Sequence, residues 1–328
     1  MTDVNNNQII VNEVDDGQRL DRWIKKNYPA ATFGEIQKIL RTGQVRVDGK
    51  RVKGDARLVE GQILRLPPQL LAPAPKRDRW LSDKDIDFIR SLVIYEDKDV
   101  IALNKPAGIA SQGGTKVGRN IDHLIEGLSN DGVKPHLVHR LDKDTTGVML
   151  LAKNPKIARA LGDIFKGREV RKYYWAVTTP APELHQGKIK NTLAKVSTSS
   201  GERMMAVSED EGRMALTYYN VMEAVGKNLA WVAFWPHTGR QHQIRVHAAE
   251  MGCPLLGDFK YDPVQQLLQD NPELPHTVHL HARRLILPHP TTGKVLDITA
   301  PLGPDMRKTF KFFGFSAEDK SDPFEDLD

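Results

Sequence analysis

The sequence predicts an α+β protein in which a small basic α/β module precedes a larger domain built on a mixed or antiparallel sheet. Apolar runs at residues 100–103 and 231–234 are typical of buried strands, and residues 156–165 carry apolar side chains at helical spacing. These elements mix without the strict alternation of strand and helix that marks a doubly wound sheet. Basic side chains are concentrated near the start of the chain, and a proline-rich stretch follows them. Together these observations predict two domains of unequal size.

Length and composition exclude several classes of protein. At 328 residues the chain has room for a large and a small domain, and an apolar fraction of 40% is sufficient for a buried core. No run approaches the roughly 18 apolar residues that a membrane-spanning helix needs, and the start of the chain lacks the apolar segment of a secretory signal. The single cysteine, Cys253, excludes an intrachain disulfide and a cysteine-rich zinc site. We therefore expect a cytoplasmic protein that does not associate with membranes.

Residues 17–66 hold most of the positive charge. They contain twelve basic and five acidic side chains, a net charge of +7, whereas the whole chain carries +5. The remaining residues are therefore slightly acidic. Charge concentrated in this way favours a module that binds a polyanion over a surface that is charged only for solubility.

Local signals in this segment predict two short helices. Leu20, Trp23 and Ile24 have the i, i+3, i+4 spacing of one helix face. Thr32 and Glu35 match a capping box, in which the hydroxyl and the carboxylate accept hydrogen bonds from unpaired amides at a helix start. The second helix is therefore predicted to begin at this point.

The second helix is predicted to bury Phe33, Ile36 and Leu40 and to end at Gly43. The alternating segment 45–52 is interrupted by Asp-Gly, the signature of a tight hairpin. Two short helices that lead into a basic hairpin resemble the S-four-type RNA-binding module, which we assign to residues 1–68. Its candidate RNA-binding side chains are Arg19, Arg22, Lys38, Arg41, Arg46, Lys50 and Arg51.

Proline-rich sequence separates this module from the rest of the chain. Prolines lack an amide donor and favour extended backbone, so we predict a semi-rigid linker over residues 69–89. The larger domain is then predicted to span residues 90–316. Residues 317–328 contain six acidic side chains and one lysine, a composition that predicts a disordered tail.

The segment 137–154 places charged residues between two apolar runs. We expect two buried strands joined by a short loop that carries Asp142 and Asp144. Two neighbouring carboxylates suit a Mg²⁺ site, or an acid–base pair of the kind that cleaves glycosidic bonds. The Thr-Thr-Gly that follows also fits a turn, which one of the two aspartates would cap.

The sequence gives less support to a metal site or a nucleotide-binding loop. His242 and His247 are five residues apart, so on a strand they would point to opposite faces and would not share a metal. A zinc site stays open as an alternative, with candidate ligands His279, His281 and Cys253. The glycine pair at 113–114 is not followed by the Gly-Lys-Ser/Thr of a nucleotide-binding loop, which excludes that class of ATP site.

Five segments together resemble the RluA-type pseudouridine synthases. In chain order they are residues 104–108 (NKPAG), 139–147 (HRLDKDTTG), 172–176 (KYYWA), 238–247 (TGRQHQIRVH), and 254–255 (PL) with 280–282 (LHA). The resemblance covers the whole larger domain, and an S-four-type module is typical of the branch that acts on large-subunit ribosomal RNA. The Gln-Gly-Gly at 112–114 favours the RluC-like members, although Ser111 and Gln112 replace their usual Val-His.

The resemblance implies an enzyme that converts uridine in RNA to pseudouridine. The bond from ribose to ring nitrogen 1 is broken and the base is rejoined through ring carbon 5, so no redox change occurs and no cofactor or metal is needed. Asp142 matches the catalytic aspartate of the family, and a carboxylate suits chemistry at an anomeric carbon. It either attacks that carbon or removes the neighbouring 2′ proton, and both routes stay open. Asp144 is expected to cap the turn or to lie at the surface.

The resemblance also implies partners for Asp142. Arg245 is expected to pair with it, because burial disfavours a carboxylate unless a cation lies beside it. Tyr174 is expected to stack on the uracil, while Tyr173 and Trp175 point to the other side of a strand. Further RNA contacts are predicted for His139, Arg140, Arg240 and Ile244.

Two of these assignments depend on local structure. If residues 238–247 form an alternating strand, Arg245 enters the pocket and Ile244 packs behind it, close to the base. Lys105, which follows the first buried strand, is expected to be structural or to contact RNA.

Two other functions stay open. One is an RNA-binding or ribosome-assembly factor without turnover, although such a protein has no need of a buried ionised carboxylate. The other is a glycosidase that releases the base, which free uracil would reveal. The predicted partner is large-subunit ribosomal RNA or its precursor. We expect a monomer with no obligate protein partner.

Overall fold

The computed structural model describes residues 7–28, 31–71, 81–113, 119–130, 132–167, 169–199 and 201–325. The chain divides into two compact units, Met1–Trp80 and Leu81–Asp328. Within the described ranges, no helix has the length and apolar character needed to cross a bilayer.

The first unit combines short helices with a small sheet. Its helices are α1 (Leu20–Asn27), α2 (Phe33–Arg41) and α3 (Pro68–Leu71), and its strands are β1 (Gln8–Ile10), β2 (Arg46–Val47), β3 (Lys50–Arg51) and β4 (Ile63–Arg65). The strands pair in antiparallel fashion in the order β1-β4-β2-β3. Buried side chains of α1, α2 and the sheet form one apolar core, among them Leu20, Trp23, Ile36, Leu40 and Leu64.

The predicted capping box is present at the start of α2. The hydroxyl of Thr32 accepts a hydrogen bond from the Glu35 amide at 3.2 Å, and the Glu35 carboxylate accepts one from the Thr32 amide at 2.7 Å. The helix begins one residue later, at Phe33. Phe33 was predicted to be buried, and that prediction was wrong, since its side chain is 70% exposed. It lies outside the buried face of α2, which is formed by Ile36, Ile39 and Leu40.

The end of α2 and the following hairpin agree with the sequence. The helix ends just before Gly43, whose φ of 68° suits a residue without a side chain. Asp48 and Gly49 form the hairpin turn with φ of 49° and 75°, the positive values that a two-residue type I′ turn requires. The turn directs the basic strands β2 and β3 back along each other.

The second unit contains the remaining helices and strands. The helices are α4 (Asp83–Ser91), α5 (Ile121–Leu124), α6 (Pro155–Lys166), α7 (Gln243–Glu250), α8 (Gln266–Asp270) and α9 (Pro304–Phe313). The strands are β5 (Val93–Glu96), β6 (Val100–Lys105), β7 (His136–Leu137), β8 (Thr146–Ala152), β9 (Arg171–Thr178), β10 (Gln186–Thr198), β11 (Gly201–Val207), β12 (Arg213–Val225), β13 (Leu229–Pro236), β14 (Leu280–Pro288) and β15 (Val295–Thr299).

A mixed sheet is the centre of this unit. Among the described residues its eleven strands run in the order β11-β10-β12-β13-β9-β14-β8-β6-β5, with β15 added to β14 and β7 to β8. The β8–β14 pair is parallel, while β9–β14 and β6–β8 on either side are antiparallel. The predicted α+β class with a mixed sheet is confirmed, as are the strands at 100–103 and 231–234 and the helix at 156–165.

Alternation along β9 separates the two faces of the sheet. Tyr173 and Trp175 are buried in an aromatic cluster that includes Phe310 of α9. Tyr174 lies on the opposite face, where Ile244 of α7 packs against the sheet. The predicted orientation of these three strand residues is therefore confirmed, and the face that carries Tyr174 is the one that α7 covers.

The predicted linker and the second unit overlap in sequence. Residues 72–80 lie outside the described residues, but α4 begins at Asp83, inside the segment assigned to the linker. Ser82 caps this helix by accepting a hydrogen bond from the Asp85 amide, and Ile89 is buried. The prolines end at Pro75, so extending the linker to residue 89 ignored the cap and the apolar residue that follow.

The prediction of a disordered acidic tail was wrong for residues 317–325. Phe324 is buried, with its ring centroid 5.3 Å from that of Tyr173 and 5.6 Å from that of Trp235. The carbonyl of Pro323 accepts a hydrogen bond from the Asn220 side chain at 2.8 Å. Burial of the single aromatic residue Phe324 holds this segment against the domain despite its acidic side chains. The overall composition of the segment did not indicate this. Residues 326–328 lie outside the described residues.

Candidate active site

The loop between β7 and β8 carries Asp142, and Lys105 anchors this loop through its backbone. Lys105 ends β6 and is fully buried, and its ammonium group donates hydrogen bonds to the carbonyls of Pro106, Ile109 and Lys143 at 2.8–2.9 Å. Burial lowers the pKa of Lys105 to about 8, although nearby carboxylates act in the opposite direction. With all three N–H groups bound to backbone, Lys105 has the structural role that was one of its two predicted roles.

A second anchor holds the other side of Asp142. The hydroxyl of Ser111 donates to the Leu141 carbonyl at 2.5 Å and accepts from the Leu141 amide at 3.0 Å. The residue before Asp142 is therefore tied to Ser111, which follows β6, and the residue after it is tied to Lys105, which ends β6. The Asp142 side chain itself is only 19% exposed, so its carboxylate projects from a fixed backbone into a restricted space.

Two cavities meet at Asp142. The smaller cavity, of about 310 Å³, is lined by Tyr174, Ile244, Lys172 and Leu280 among others. The larger cavity, of about 740 Å³, is lined by Gly108, Lys143, Phe259, Lys260 and His276 among others. The residues on the walls of both cavities are Arg140, Leu141, Asp142, Gln241, His242 and Arg245. The carboxylate of Asp142, which the sequence analysis identified, thus lines both cavities.

Residues 243–250 form helix α7, so the strand predicted for residues 238–247 was wrong. His242 precedes the helix in the left-handed conformation, with φ of 52°. The side-chain oxygen of Gln243 accepts hydrogen bonds from the Arg240 amide at 3.0 Å and the Thr238 hydroxyl at 2.7 Å, which closes the turn before the helix. Ile244 and Arg245 are consecutive buried residues of a helix instead of alternating residues of a strand.

Arg245 forms a buried bidentate ion pair with Asp258. Its Nε donates to one carboxylate oxygen at 2.7 Å and its Nη2 to the other at 2.6 Å. Burial alone would lower the pKa of Arg245, but the hydrogen bonds and charge of Asp258 outweigh it and raise the pKa, with the charge of Asp142 acting in the same direction. The expected direct pairing of Arg245 with Asp142 is replaced by this pair, although both residues line the same cavities.

His242 lies between the Arg245–Asp258 pair and Asp142. Its Nε2 is 3.9 Å from the Asp142 carboxylate and 3.4 Å from Nη1 of Arg245, the guanidinium nitrogen that Asp258 does not use. Its Nδ1 is 2.8 Å from the Tyr261 hydroxyl, and the Arg245 guanidinium lies 5.2 Å from the Tyr261 ring centre. Burial lowers the pKa of His242, and the charge of Asp142 opposes that shift. The sequence had not assigned a role to Asp258 or Tyr261.

Tyr174 presents its ring to the smaller cavity. It is half-buried on β9 and packs in the apolar cluster that includes Ile244 and Leu280. Burial, and then the charge of Asp142, raise the pKa of Tyr174, so the phenol stays protonated at neutral pH. Within the described ranges its hydroxyl has no hydrogen-bond partner, which leaves it available to a bound molecule.

Two of the predicted RNA-contacting residues are bound within the protein. His139 stacks on Phe165 at a centroid distance of 4.9 Å, and its Nε2 accepts a hydrogen bond from the Leu150 amide at 2.8 Å. Burial lowers the pKa of His139 to about 4, so it is a neutral residue that fixes β8. Arg240 lines the smaller cavity and donates from Nε to the Met214 carbonyl at 3.1 Å. Arg140 is exposed at the walls of both cavities.

No metal cluster is found in the part of the chain that the structure describes. That part contains no group of three or more His, Cys, Asp or Glu side chains able to hold an ion. His279 and His281, considered above as zinc ligands, are buried and bonded to the hydroxyls of Thr309 and Thr146. Burial lowers the pKa of both histidines to about 4.

The first unit has a basic cavity of its own. It measures about 860 Å³ and lies beside α2 and the β2–β3 hairpin. Of the seven predicted RNA-binding side chains, those on its wall are Arg19, Lys38, Arg41 and Arg51. Arg19 also forms a bidentate ion pair with Asp21, at 3.1 and 2.7 Å. The other predicted residues, Arg22, Arg46 and Lys50, are exposed outside that wall.

Comparisons with known proteins decide the family. The model of the RNA pseudouridylate synthase family matches residues 99–250, and the model of the S4 domain matches residues 18–64. The chain is 36% identical over 291 residues to ribosomal large subunit pseudouridine synthase C of Rickettsia bellii, an alignment that covers 87% of this chain and 94% of that protein. The chain belongs to the RNA pseudouridylate synthase family. It is thus an enzyme that isomerises uridine to pseudouridine in RNA.

Other relatives agree with this assignment. Ribosomal large subunit pseudouridine synthase C of Pasteurella multocida is 34% identical over 303 residues, which cover 92% of this chain and 91% of that protein. Among solved structures, human RNA pseudouridylate synthase domain containing 4 superposes with a TM-score of 0.57 at 29% identity, covering 70% of this chain and 96% of that one. The resemblance to RluC-like synthases with an S-four-type module is therefore confirmed.

Proposed function

We propose that this synthase modifies uridines of large-subunit ribosomal RNA and that Asp142 is its catalytic carboxylate. The observation that carries the second part is the position of Asp142, which lines both cavities and is flanked by anchored residues. The choice of RNA is supported by relatives that are named for the large ribosomal subunit and align over most of this chain.

In this proposal the target uridine leaves the RNA stack and its base enters the smaller cavity, because the anomeric carbon is inaccessible within a stacked helix. Tyr174 stacks on the base, and Ile244 and Leu280 provide the apolar wall. The bond between ring nitrogen 1 and the anomeric carbon breaks with its electron pair on the base. The base turns, ring carbon 5 bonds to the anomeric carbon and loses its proton, and nitrogen 1 gains one.

Asp142 drives this sequence by one of two routes, attack on the anomeric carbon or removal of the 2′ proton. Each route requires an ionised carboxylate close to a bound base, where burial disfavours the charge. Nη1 of Arg245 and the imidazole of His242 are the groups that supply favourable charge or hydrogen bonding on that side. The Arg245–Asp258 pair keeps the guanidinium in place between turnovers.

The first unit is proposed to hold the RNA through phosphate contacts from the basic side chains around its cavity. Arg140, which is exposed at the walls of both cavities of the second unit, is proposed to contact the RNA backbone near the target. The enzyme is further proposed to act as a monomer in the cytoplasm, without an obligate protein partner.

Mapping pseudouridine in large-subunit RNA tests the proposal. RNA is compared from cells that have the protein, cells that lack it, and cells that carry Asp142→Asn in its place. We expect specific uridines to remain unmodified both without the protein and with Asp142→Asn. Normal modification in cells that lack the protein would exclude this RNA as the substrate. Normal modification with Asp142→Asn would exclude the catalytic role, and free uracil released from RNA would indicate a glycosidase.

A further inference from the structure

Phe259 is exposed at a position that the fold does not explain. Its side chain is 44% exposed on the wall of the larger cavity, between the fully buried Asp258 and the exposed Lys260. In the proposed reaction the target base occupies the smaller cavity, and Phe259 has no role. Exposure of a large apolar side chain to water is unfavourable, so a molecule that covered Phe259 would gain free energy from the apolar surface removed from water.

A second exposed ring lies against Phe259. His276 also lines the larger cavity, and the two ring centroids are 5.9 Å apart with the ring planes inclined by 28°. A stacked pair of rings leaves an outer aromatic face against which another flat ring can stack. Because Asp142 lines the same cavity, this surface is reached from the space where the target nucleotide is attached.

The two loops that carry these rings are held firmly together. Gly257 has φ of 79°, and a Cβ atom there would lie 1.9 Å from the Thr277 carbonyl, so the backbones are in direct contact. Asp258 is locked by Arg245, and the Gly257 amide donates to the Gln265 side chain at 2.7 Å. Thr277 is in turn bonded to Asp305 of α9 at 3.0 Å. A stacking surface on such rigid loops loses little conformational entropy on binding.

The charges around the larger cavity suit a nucleic acid strand. Arg140, Lys143 and Lys260 are exposed on its wall. The wall also carries four carboxylates: Asp258 is buried and paired, Asp305 accepts a hydrogen bond from Thr277, and Asp142 and Asp144 lie on the loop where the target nucleotide is attached. Exposed cations around an aromatic surface are the arrangement by which proteins bind single-stranded RNA, with phosphates at the cations and bases on the rings. A protein partner would be expected to need a larger apolar area than these two rings.

We propose that Phe259 and His276 form a stacking platform for the nucleobase adjacent to the target uridine. The platform would bind any base, since every base has a π-face, and would hold the flanking nucleotide while the target base occupies the smaller cavity. This inference rests on the proposed function for the identity of the strand, and it adds a second base-binding site to the one that contains Tyr174.

The test is a thermodynamic cycle of binding affinities, in which the Phe259 ring and the bases of the RNA are removed separately and together. Full-length wild-type protein, Phe259→Ala and Phe259→Trp are titrated with a short oligouridylate and with a strand of the same length that has no bases. The control is Phe312→Ala, because Phe312 of α9 is 47% exposed and does not line either cavity. RNA binding by the first unit contributes equally to each pair of measurements and cancels in the cycle.

Phe259→Ala is expected to weaken oligouridylate binding on the order of tenfold, the effect of one lost base stack, and to leave binding of the base-free strand unchanged. Phe259→Trp should bind both strands like the wild type, and so should Phe312→Ala. Equal weakening for both strands would overturn the platform in favour of a structural effect, and no weakening would overturn it outright. The readout is independent of turnover, so a failure of the proposed reaction appears separately, as an absence of pseudouridine in RNA treated with wild-type protein.

Discussion

At the scale of single residues, the main feature of the site is that the guanidinium of Arg245 forms its ion pair with Asp258 and not with Asp142. Arg245 forms its bidentate pair with Asp258, and these side chains are only 6% and 1% exposed. Removing one partner of such a pair leaves an uncompensated buried charge, which is strongly unfavourable. The pair also joins α7 to the loop that carries Phe259, so one ion pair supports both cavities.

Asp258→Asn is therefore predicted to lower the free energy of unfolding by about 3–5 kcal/mol. The matched control is Asp297→Asn, which breaks the bidentate pair of Arg284 and Asp297, whose side chains are 27% and 39% exposed. That substitution should cost about 0–1 kcal/mol, because solvent screens the charges. Denaturant unfolding of the two variants measures the difference. Similar losses of unfolding free energy in the two variants would mean that burial does not make the Arg245–Asp258 pair more important to stability than an exposed pair.

Tyr174 allows its ring and its hydroxyl to be tested separately. Tyr174→Phe keeps the stacking face, and Tyr174→Ala removes it together with the hydroxyl. If stacking is the main contribution, Ala should weaken productive RNA binding by about 1–3 kcal/mol more than Phe. The half-saturating RNA concentration in a turnover assay reports the effect. Indistinguishable values for the two variants would show that Tyr174 does not act by stacking.

The sequence identified Asp142 and Tyr174 because each lies in a contiguous motif with a distinctive pattern. Asp258 and Tyr261 carry no such signal, and Asp258 meets Arg245 only through the fold, across 13 positions. His139 shows the opposite difficulty. Its motif marks it as important, but whether it contacts RNA or the backbone of β8 depends on where its ring points, which a motif does not encode.

At the scale of elements, α7 shows why a functional segment can be assigned to the wrong structure. Six consecutive residues of this helix, from Gln243 to Ala248, are buried. A helix that is buried all round has no polar face, so its sequence lacks the 3.6-residue period by which a helix is recognised. The strands β6 and β13 and the helix α6 were predictable because their burial follows the pattern that their type requires.

The contact between β8 and β14 is a second feature of element scale, and it lies directly beyond the Asp142 loop. Gly147 of β8 is opposite Ala282 of β14, with φ of 106°, and a Cβ atom there would lie 2.2 Å from the Ala282 carbonyl oxygen. The two strands are parallel at this point and approach too closely for any side chain. The end of the Asp142 loop is thereby fixed to the centre of the sheet.

Gly147→Ala is predicted to destabilise the second unit by about 3 kcal/mol or more, through backbone strain and overpacking together. Gly201→Ala separates these effects, because Gly201 has a similar φ of 103° with open space around it. Strain alone should cost Gly201→Ala about 1–2 kcal/mol. Thermal or denaturant unfolding gives both values. Equal losses at the two positions would show that the close approach of β8 and β14 is not what requires glycine.

At the scale of the whole molecule, one unit holds the positive charge and the other holds the proposed active site. The net charge of +7 lies in residues 17–66, whereas both cavities at Asp142 belong to Leu81–Asp328. Each phosphate neutralised on a single strand contributes a slope of roughly −0.7 to the plot of log affinity against log salt. Charge in the first unit should therefore control affinity for RNA, and the second unit should control turnover.

Deleting residues 1–80 is predicted to flatten that plot and to raise the RNA concentration needed for half-maximal rate. Turnover at saturating RNA should change much less, since Asp142, Tyr174 and Arg245 are retained. A salt titration of RNA binding, with single-turnover kinetics on the full-length and shortened proteins, measures both quantities. If the slope does not change, the basic residues of the first unit do not contact phosphate.

The most direct test of the central claim compares the two carboxylates of one loop. Uridine loses its carbon 5 proton when it becomes pseudouridine, so RNA labelled with tritium at that position releases the label on each turnover. Asp142→Asn is predicted to reduce the single-turnover rate by a factor on the order of 10³ while leaving folding and RNA affinity nearly intact. Asp144→Asn should release tritium at close to the wild-type rate. Wild-type release by a folded Asp142→Asn enzyme, or equal loss of activity in both variants, would contradict the assignment of catalysis to Asp142.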